Sequence, residues 1–175
     1  MTTPAAPRRD ETNPMRIWAA ILVGTLLQVV GYGSFLLAVV ATQSDTPEAA
    51  GPAFALGFVM VPVVFAAVAF ISGHRQAPMA TLRAMGLWLL VTLPLGLVHP
   101  VTGLCAGYGI GGAVTLRRDG PLRPRLIAVA LATAYTTLLL LTIPAAAVLT
   151  GAVAPLLAVK IGDWYAERAS RAGDG

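Results

Sequence analysis

Few side chains in this sequence are placed to do covalent chemistry. Cys105 is the single cysteine, and His99, six positions before it, is the nearest imidazole. A cysteine nucleophile needs a base, and the base needs a third group to orient it. No carboxylate stands near His99: all eight (Asp10, Glu11, Asp45, Glu48, Asp119, Asp163, Glu167 and Asp174) fall in polar tails and loops. Ser34, Ser44, Ser72 and Ser170 are not placed beside His99, so a serine triad is not expected either. One cysteine and two distant histidines cannot build a zinc site or an intrachain disulfide. The glycine-rich stretch 103–112 lacks the Lys-Ser/Thr ending of a phosphate-binding loop. The expectation is a protein that is not an enzyme, with no metal and no cofactor.

Uncharged polar groups are more promising. Gln28, Tyr108 and Tyr135 interrupt long apolar runs, with Cys105, Thr133, Thr136 and Thr137 close by in register. Counted at the helical rise from the basic end of each run, the first three lie roughly 13–18 Å deep. Polar groups at that depth need hydrogen-bonding partners. Bonds between helices would supply them. So would a small uncharged or aromatic ligand, and Gln28, Tyr108 and Tyr135 are the candidates to hold one. A packing motif, Gly103-x-x-x-Gly107-x-x-x-Gly111, puts three glycines on one helix face, where a neighbouring backbone can approach closely. Ala20-x-x-x-Gly24 and Ala53-x-x-x-Gly57 are candidate surfaces to meet it.

The elements that must position these residues follow from hydropathy and charge. The chain has 175 residues, 57% hydrophobic and only 11% charged, with mean hydropathy +0.76. A soluble domain is about 25% charged. Four blocks carry no charge at all: Ile17–Ala41, Gly51–Gly73, Ala84–Leu116 and Leu126–Val159. The first is too long for a signal-peptide core of about 7–15 residues and fits a retained spanning helix. The last two blocks would each reach about 50 Å as one helix, well beyond a hydrocarbon core of about 30 Å. Both are flanked by basic residues at both ends, so under the positive-inside rule each must turn back. Turn residues are present: Pro94, His99–Pro100 and Gly103 in one block, and Pro144, Gly151 and Pro155 in the other.

The fold expected is therefore all-α, a polytopic transmembrane bundle. Six short crossings, at about 17–41, 52–72, 83–98, 101–117, 125–143 and 145–161, fit the charges best; four crossings plus re-entrant pairs are the alternative. Residues 1–16 and 162–175 are read as cytoplasmic tails around a membrane domain spanning 17–161. The net charge of +4 is assigned to topology and anionic lipid, not to nucleic acid. The stiff loop bearing Arg117, Arg118, Arg123 and Arg125 is expected to face lipid headgroups or a cytoplasmic partner. Trp18, Trp88 and Trp164 follow basic residues closely and are read as interfacial anchors. Eleven arginines against one lysine, with abundant Ala, Gly, Val and Pro, point to a GC-rich bacterial genome and hence the bacterial cytoplasmic membrane. In length and helix count alone the chain resembles the small six-helix substrate-binding subunits of bacterial vitamin transporters, and no residue role is carried over. Two functions are compatible with these features. One is a non-catalytic component of a larger membrane complex or homo-oligomer. The other is a small transporter or ligand-binding subunit.

Overall fold

The computed structural model describes residues 14–44, 46–74, 76–116 and 122–143, together with 157, 160–162, 164, 168 and 171. Among these residues the chain is a bundle of helices without strands. The elements are α1 (Pro14–Thr42), a 3-10 turn (Pro47–Ala49), α2 (Ala50–Ile71), α3 (Ala77–Val98), α4 (Pro100–Leu116) and α5 (Leu122–Thr142). Three helical segments are long and apolar enough to cross a membrane: Met15–Thr42, Pro47–Ile71 and Ala77–Val98.

Local chemistry sets where these helices stop. Gly73, at φ 71°, ends α2, and the His74 N–H donates to the Ala69 carbonyl in the pattern of a glycine C-terminal cap. Pro94 is carried inside α3, and the break comes five residues later. His99 precedes Pro100 and takes an extended conformation (φ −156°, ψ 120°), as the steric clash before a proline requires. Helix α5 ends at Thr142, just short of Pro144. Residues 84–116 thus fold as two helices, and the break sits at the sequence-predicted turn. The predicted sixth crossing, 145–161, lies largely outside the described residues.

Neighbouring helices run antiparallel. In the α1–α2 hairpin Phe35 lies on Gly57 and Gly31 lies beside Met60. In the α3–α4 hairpin Gly103 lies on Gly96 and Gly107 on Thr92 and Trp88. Ala69, Ala77 and Ala80 pack together where α2 passes into α3. Thr102 and Thr137 share a hydrogen bond of 2.9 Å between α4 and α5. Arg16, Arg83 and Arg123 consequently gather at one end of the bundle and Glu48 at the other, with all four exposed.

Helix α4 is the hub. Thirteen of its seventeen residues are buried, so it is shielded on all sides by its own chain. The outward faces of α1, α2 and α3 carry Leu22, Leu26, Leu37, Phe54, Leu90 and Leu93, an apolar surface suited to hydrocarbon.

Candidate functional site

The two hairpins meet along a seam, and the seam holds most of the buried polar groups that lack a partner. Gln28 lies on the buried stripe of α1 with Ala20, Gly24, Gly31, Phe35 and Ala38. Its side chain is fully buried, and neither the carboxamide nitrogen nor the oxygen has a hydrogen-bond partner. The antiparallel register of α1 and α2 sets it level with Val64, itself buried, so α2 offers hydrocarbon at this depth. One turn further along α1, the Tyr108 hydroxyl of α4 lies 3.1 Å from where a Cβ on Gly31 would stand. Tyr108 is 1% exposed and its hydroxyl is also unpartnered. A Cβ at Gly31 would crowd that hydroxyl and the Met60 Cβ, which would have to give by a few tenths of an ångström. The Thr25 hydroxyl and the Trp88 indole nitrogen are buried and unpartnered as well.

Aromatic rings wall the seam. Trp88 contacts Tyr108 edge-on at 6.0 Å between centroids, Phe58 at 6.0 Å, and Phe35 at 6.5 Å with the planes only 22° apart. Tyr108 contacts Phe65 at 5.8 Å. These are van der Waals contacts between rings of α1, α2, α3 and α4, so one aromatic run ties the hairpins together. The second tie is polar: the Tyr32 hydroxyl donates to the Val101 carbonyl at 3.1 Å.

The glycine face of α4 lies beside this seam and faces two ways. A Cβ on Gly103 would come within 2.5 Å of the Gly96 nitrogen and 2.7 Å of its Cα. One on Gly107 would strike the Thr92 hydroxyl, and one on Gly111 the Phe65 ring. Thr92 Oγ1 also donates to the Gly103 carbonyl at 3.2 Å. Gly103 and Gly107 therefore pack on α3 and Gly111 on α2. Of the surfaces expected to meet them, the one at Ala53 and Gly57 does otherwise, since Gly57 receives the Phe35 ring of α1.

Gln28 and Tyr108 are brought to the same seam, but Tyr135 is not. Thr137 faces α4, and Tyr135, two residues earlier and about 200° round the helix, points outward, 56% exposed. The Thr137 hydroxyl bonds the Thr102 hydroxyl and the Thr133 carbonyl, the Thr133 hydroxyl donates to the Val129 carbonyl, and Cys105 is a buried thiol on the hub helix. Arg123 is exposed at the start of α5 and Arg125 falls within that helix; Arg117 and Arg118 lie outside the described residues.

Trp88 corrects the sequence reading. It was expected at the membrane interface, five residues after Arg83, yet it is 3% exposed in the middle of the bundle. Helix α3 starts at Ala77, not Arg83, with Pro78 in its first turn. Arg83 rides exposed on the second turn, where a long aliphatic stem lets a charge reach the interface. Trp88 is thereby carried about 16 Å into the helix. Its phase was a readable signal, because Ala77, Ala80, Ala84 and Trp88 recur at helical spacing and all four are buried. Trp18 and Trp164 remain half-exposed, and the Arg168 guanidinium covers the Trp164 ring at 4.2 Å.

Two surface grooves lie at opposite ends of the α1–α2 hairpin. One, of about 460 Å³, is lined by Ala38, Thr42 and Phe54; the other, of about 550 Å³, by Arg16, Ala19 and Phe70. Neither reaches Gln28 or Tyr108. Among the described residues no three His, Cys, Asp or Glu side chains gather to hold a metal. Comparison with protein-family models, curated proteins and solved structures finds no match to the chain.

Proposed function

We propose that this chain is a non-catalytic, multi-pass membrane protein that binds a small uncharged molecule in the seam between its two hairpins. The observation that carries this reading is Gln28. A carboxamide buried in hydrocarbon without a partner costs about 1–3 kcal/mol. Leucine has nearly the same volume and would carry no such cost. A buried polar group held at a loss of stability is what a binding site requires of a chain, since real proteins break local rules mainly at functional sites. The fully buried side chains among the described residues are neutral, which suits an uncharged occupant.

In this reading the protein crosses the membrane six times, with both termini and the basic end of the bundle in the cytoplasm of a bacterial cell. The gathering of Arg16, Arg83 and Arg123 at one end supports that orientation. The arginine loop, residues 117–125, then lies against anionic headgroups.

A second reading, a subunit of a larger membrane complex, draws on α3. Its most apolar window is only 11% buried among the described residues, against 39% for α1 and 33% for the segment containing α2, so of these three α3 has the most surface left for a neighbour. Native mass spectrometry of the protein in mild detergent separates the two. A bound small molecule that disappears in Gln28→Leu supports the binding reading. A stoichiometric protein partner, retained in Gln28→Leu, supports the second and removes the first.

A further inference from the structure

We infer that the groove at the basic end of the α1–α2 hairpin holds one anionic glycerophospholipid, with its phosphate on Arg16 and an acyl chain over Ala19. The inference needs only that the chain spans a membrane, and it stands apart from the seam. The groove, of about 550 Å³, is lined by Met15, Arg16, Ala19, Phe70 and Ile71. Ala19 makes it. Met15, Ala19, Leu22 and Leu26 recur at helical spacing on one face of α1, and the short side chain of Ala19 is a notch between exposed large ones. Phe70, also exposed, is the wall from α2. The depth suits a headgroup. The span Met15–Thr42 has 28 residues. At the helical rise it is about 42 Å long against a hydrocarbon core of about 30 Å, so a centred helix carries its first turn about 6 Å beyond the hydrocarbon.

Charge sets the headgroup. Arg16 stands in the first turn of α1, and that turn has no acidic residue. A helix N-terminus carries partial positive charge, so a cation there is unfavourable until an anion covers both. Among the described residues the only carboxylate is Glu48, at the opposite end of the bundle. A phosphate supplies the missing anion, and its oxygens match the guanidinium fork. An ammonium or choline headgroup would bring a second cation to the same place, which selects a lipid of net negative charge. The apolar half of the groove selects a lipid over a soluble phosphate. Beyond Ala19 the exposed Leu22 and Leu26 continue the same face toward the bilayer centre, so a chain leaving the groove stays on hydrocarbon.

Native mass spectrometry of the full-length protein in mild detergent, titrated with phosphatidylglycerol or phosphatidylcholine, tests the site. The expected result is one phosphatidylglycerol bound about tenfold more tightly than phosphatidylcholine. Arg16→Gln should weaken it about tenfold, through loss of the charge-assisted hydrogen bonds to phosphate. Ala19→Leu should weaken it similarly, by filling the notch with the charge intact. Arg16 is exposed and Ala19 half-buried at the groove, so both variants keep the packed interior and fold. Arg83→Gln removes an exposed charge from the same end but outside the groove, and should leave binding unchanged. Equal weakening by Arg16→Gln and Arg83→Gln would mean that the lipid answers to overall charge, and undiminished binding in Ala19→Leu would mean that it sits elsewhere. Either result overturns the proposal, as does equal affinity for the two lipids. Displacement of phosphatidylglycerol by millimolar glycerol 1-phosphate would identify a soluble phosphate as the occupant and overturn the assignment to lipid.

Discussion

Replacing Gln28 with leucine separates a structural glutamine from a ligand-holding one by the sign of a stability change. A glutamine that bonds across helices would make the variant less stable, by about 0.6 kcal/mol on average for such bonds in membranes and up to about 1.7. The structure leaves both ends of the Gln28 carboxamide unpartnered, and the α1–α2 register sets it level with the buried Val64. Removing a buried group with no partner recovers its desolvation cost, about 1–3 kcal/mol, and leucine fills nearly the same volume. The variant should therefore be more stable than the wild type. The measurement is SDS-induced unfolding in mixed micelles, followed by circular dichroism, on protein washed free of bound small molecules. Washing matters because a ligand at a hundred times its Kd would itself stabilise the wild type by about 2.7 kcal/mol and mask the effect. A variant less stable by about 1 kcal/mol or more would refute the reasoning, since Gln28 would then have a partner.

Glycine substitutions should divide sharply by position. Gly103→Ala drives a methyl into the Gly96 backbone, which cannot yield as a side chain would, and should cost at least about 1–3 kcal/mol in the same unfolding assay. Gly33→Ala and Gly86→Ala meet open space within their helices and should be neutral or stabilising by up to about 1 kcal/mol. Gly73→Ala forces a side chain into the left-handed cap of α2 and should destabilise by about 1 kcal/mol. Tyr32→Phe loses the bond to the Val101 carbonyl that ties the two hairpins and should cost about 0.5–1.5 kcal/mol. In a Cys105→Ser background, single cysteines at Thr46 and Arg123 should label with a membrane-impermeant maleimide from opposite sides, Thr46 in intact cells and Arg123 only after lysis; labelling of both in intact cells would overturn the six-crossing orientation.

Helices were legible because their stop signals are local. The His99–Pro100 break, the end of α5 before Pro144 and the apolar runs of α1 and α2 depend on neighbouring residues only. The glycine spacing marked a tight contact on α4, but not which helix makes it: Gly103 and Gly107 meet α3, while Gly111 meets α2. Depth was legible and direction was not. Gln28, Tyr108 and Tyr135 share a level by counting, yet only the orientation of α5, set by Thr137 bonding Thr102, turns Tyr135 outward. Trp88 was misplaced because charge marks where a chain enters the membrane and not where its helix begins. The aromatic run from Phe35 to Phe65 draws one or more rings from each of four helices, and no linear pattern records that meeting.

The contacts within each hairpin differ in kind from those between the hairpins. Within each hairpin the helices are held by small residues: Gly57 under Phe35, and Gly96 with Thr92 against Gly103 and Gly107. Such contacts bring backbones close. Between the hairpins the contact is made by rings and by one hydroxyl bond, from Tyr32 to Val101. Rings fill volume without supplying hydrogen-bonding groups to one another, and the polar atoms of Tyr108 and Trp88, both members of that run, stay without a partner.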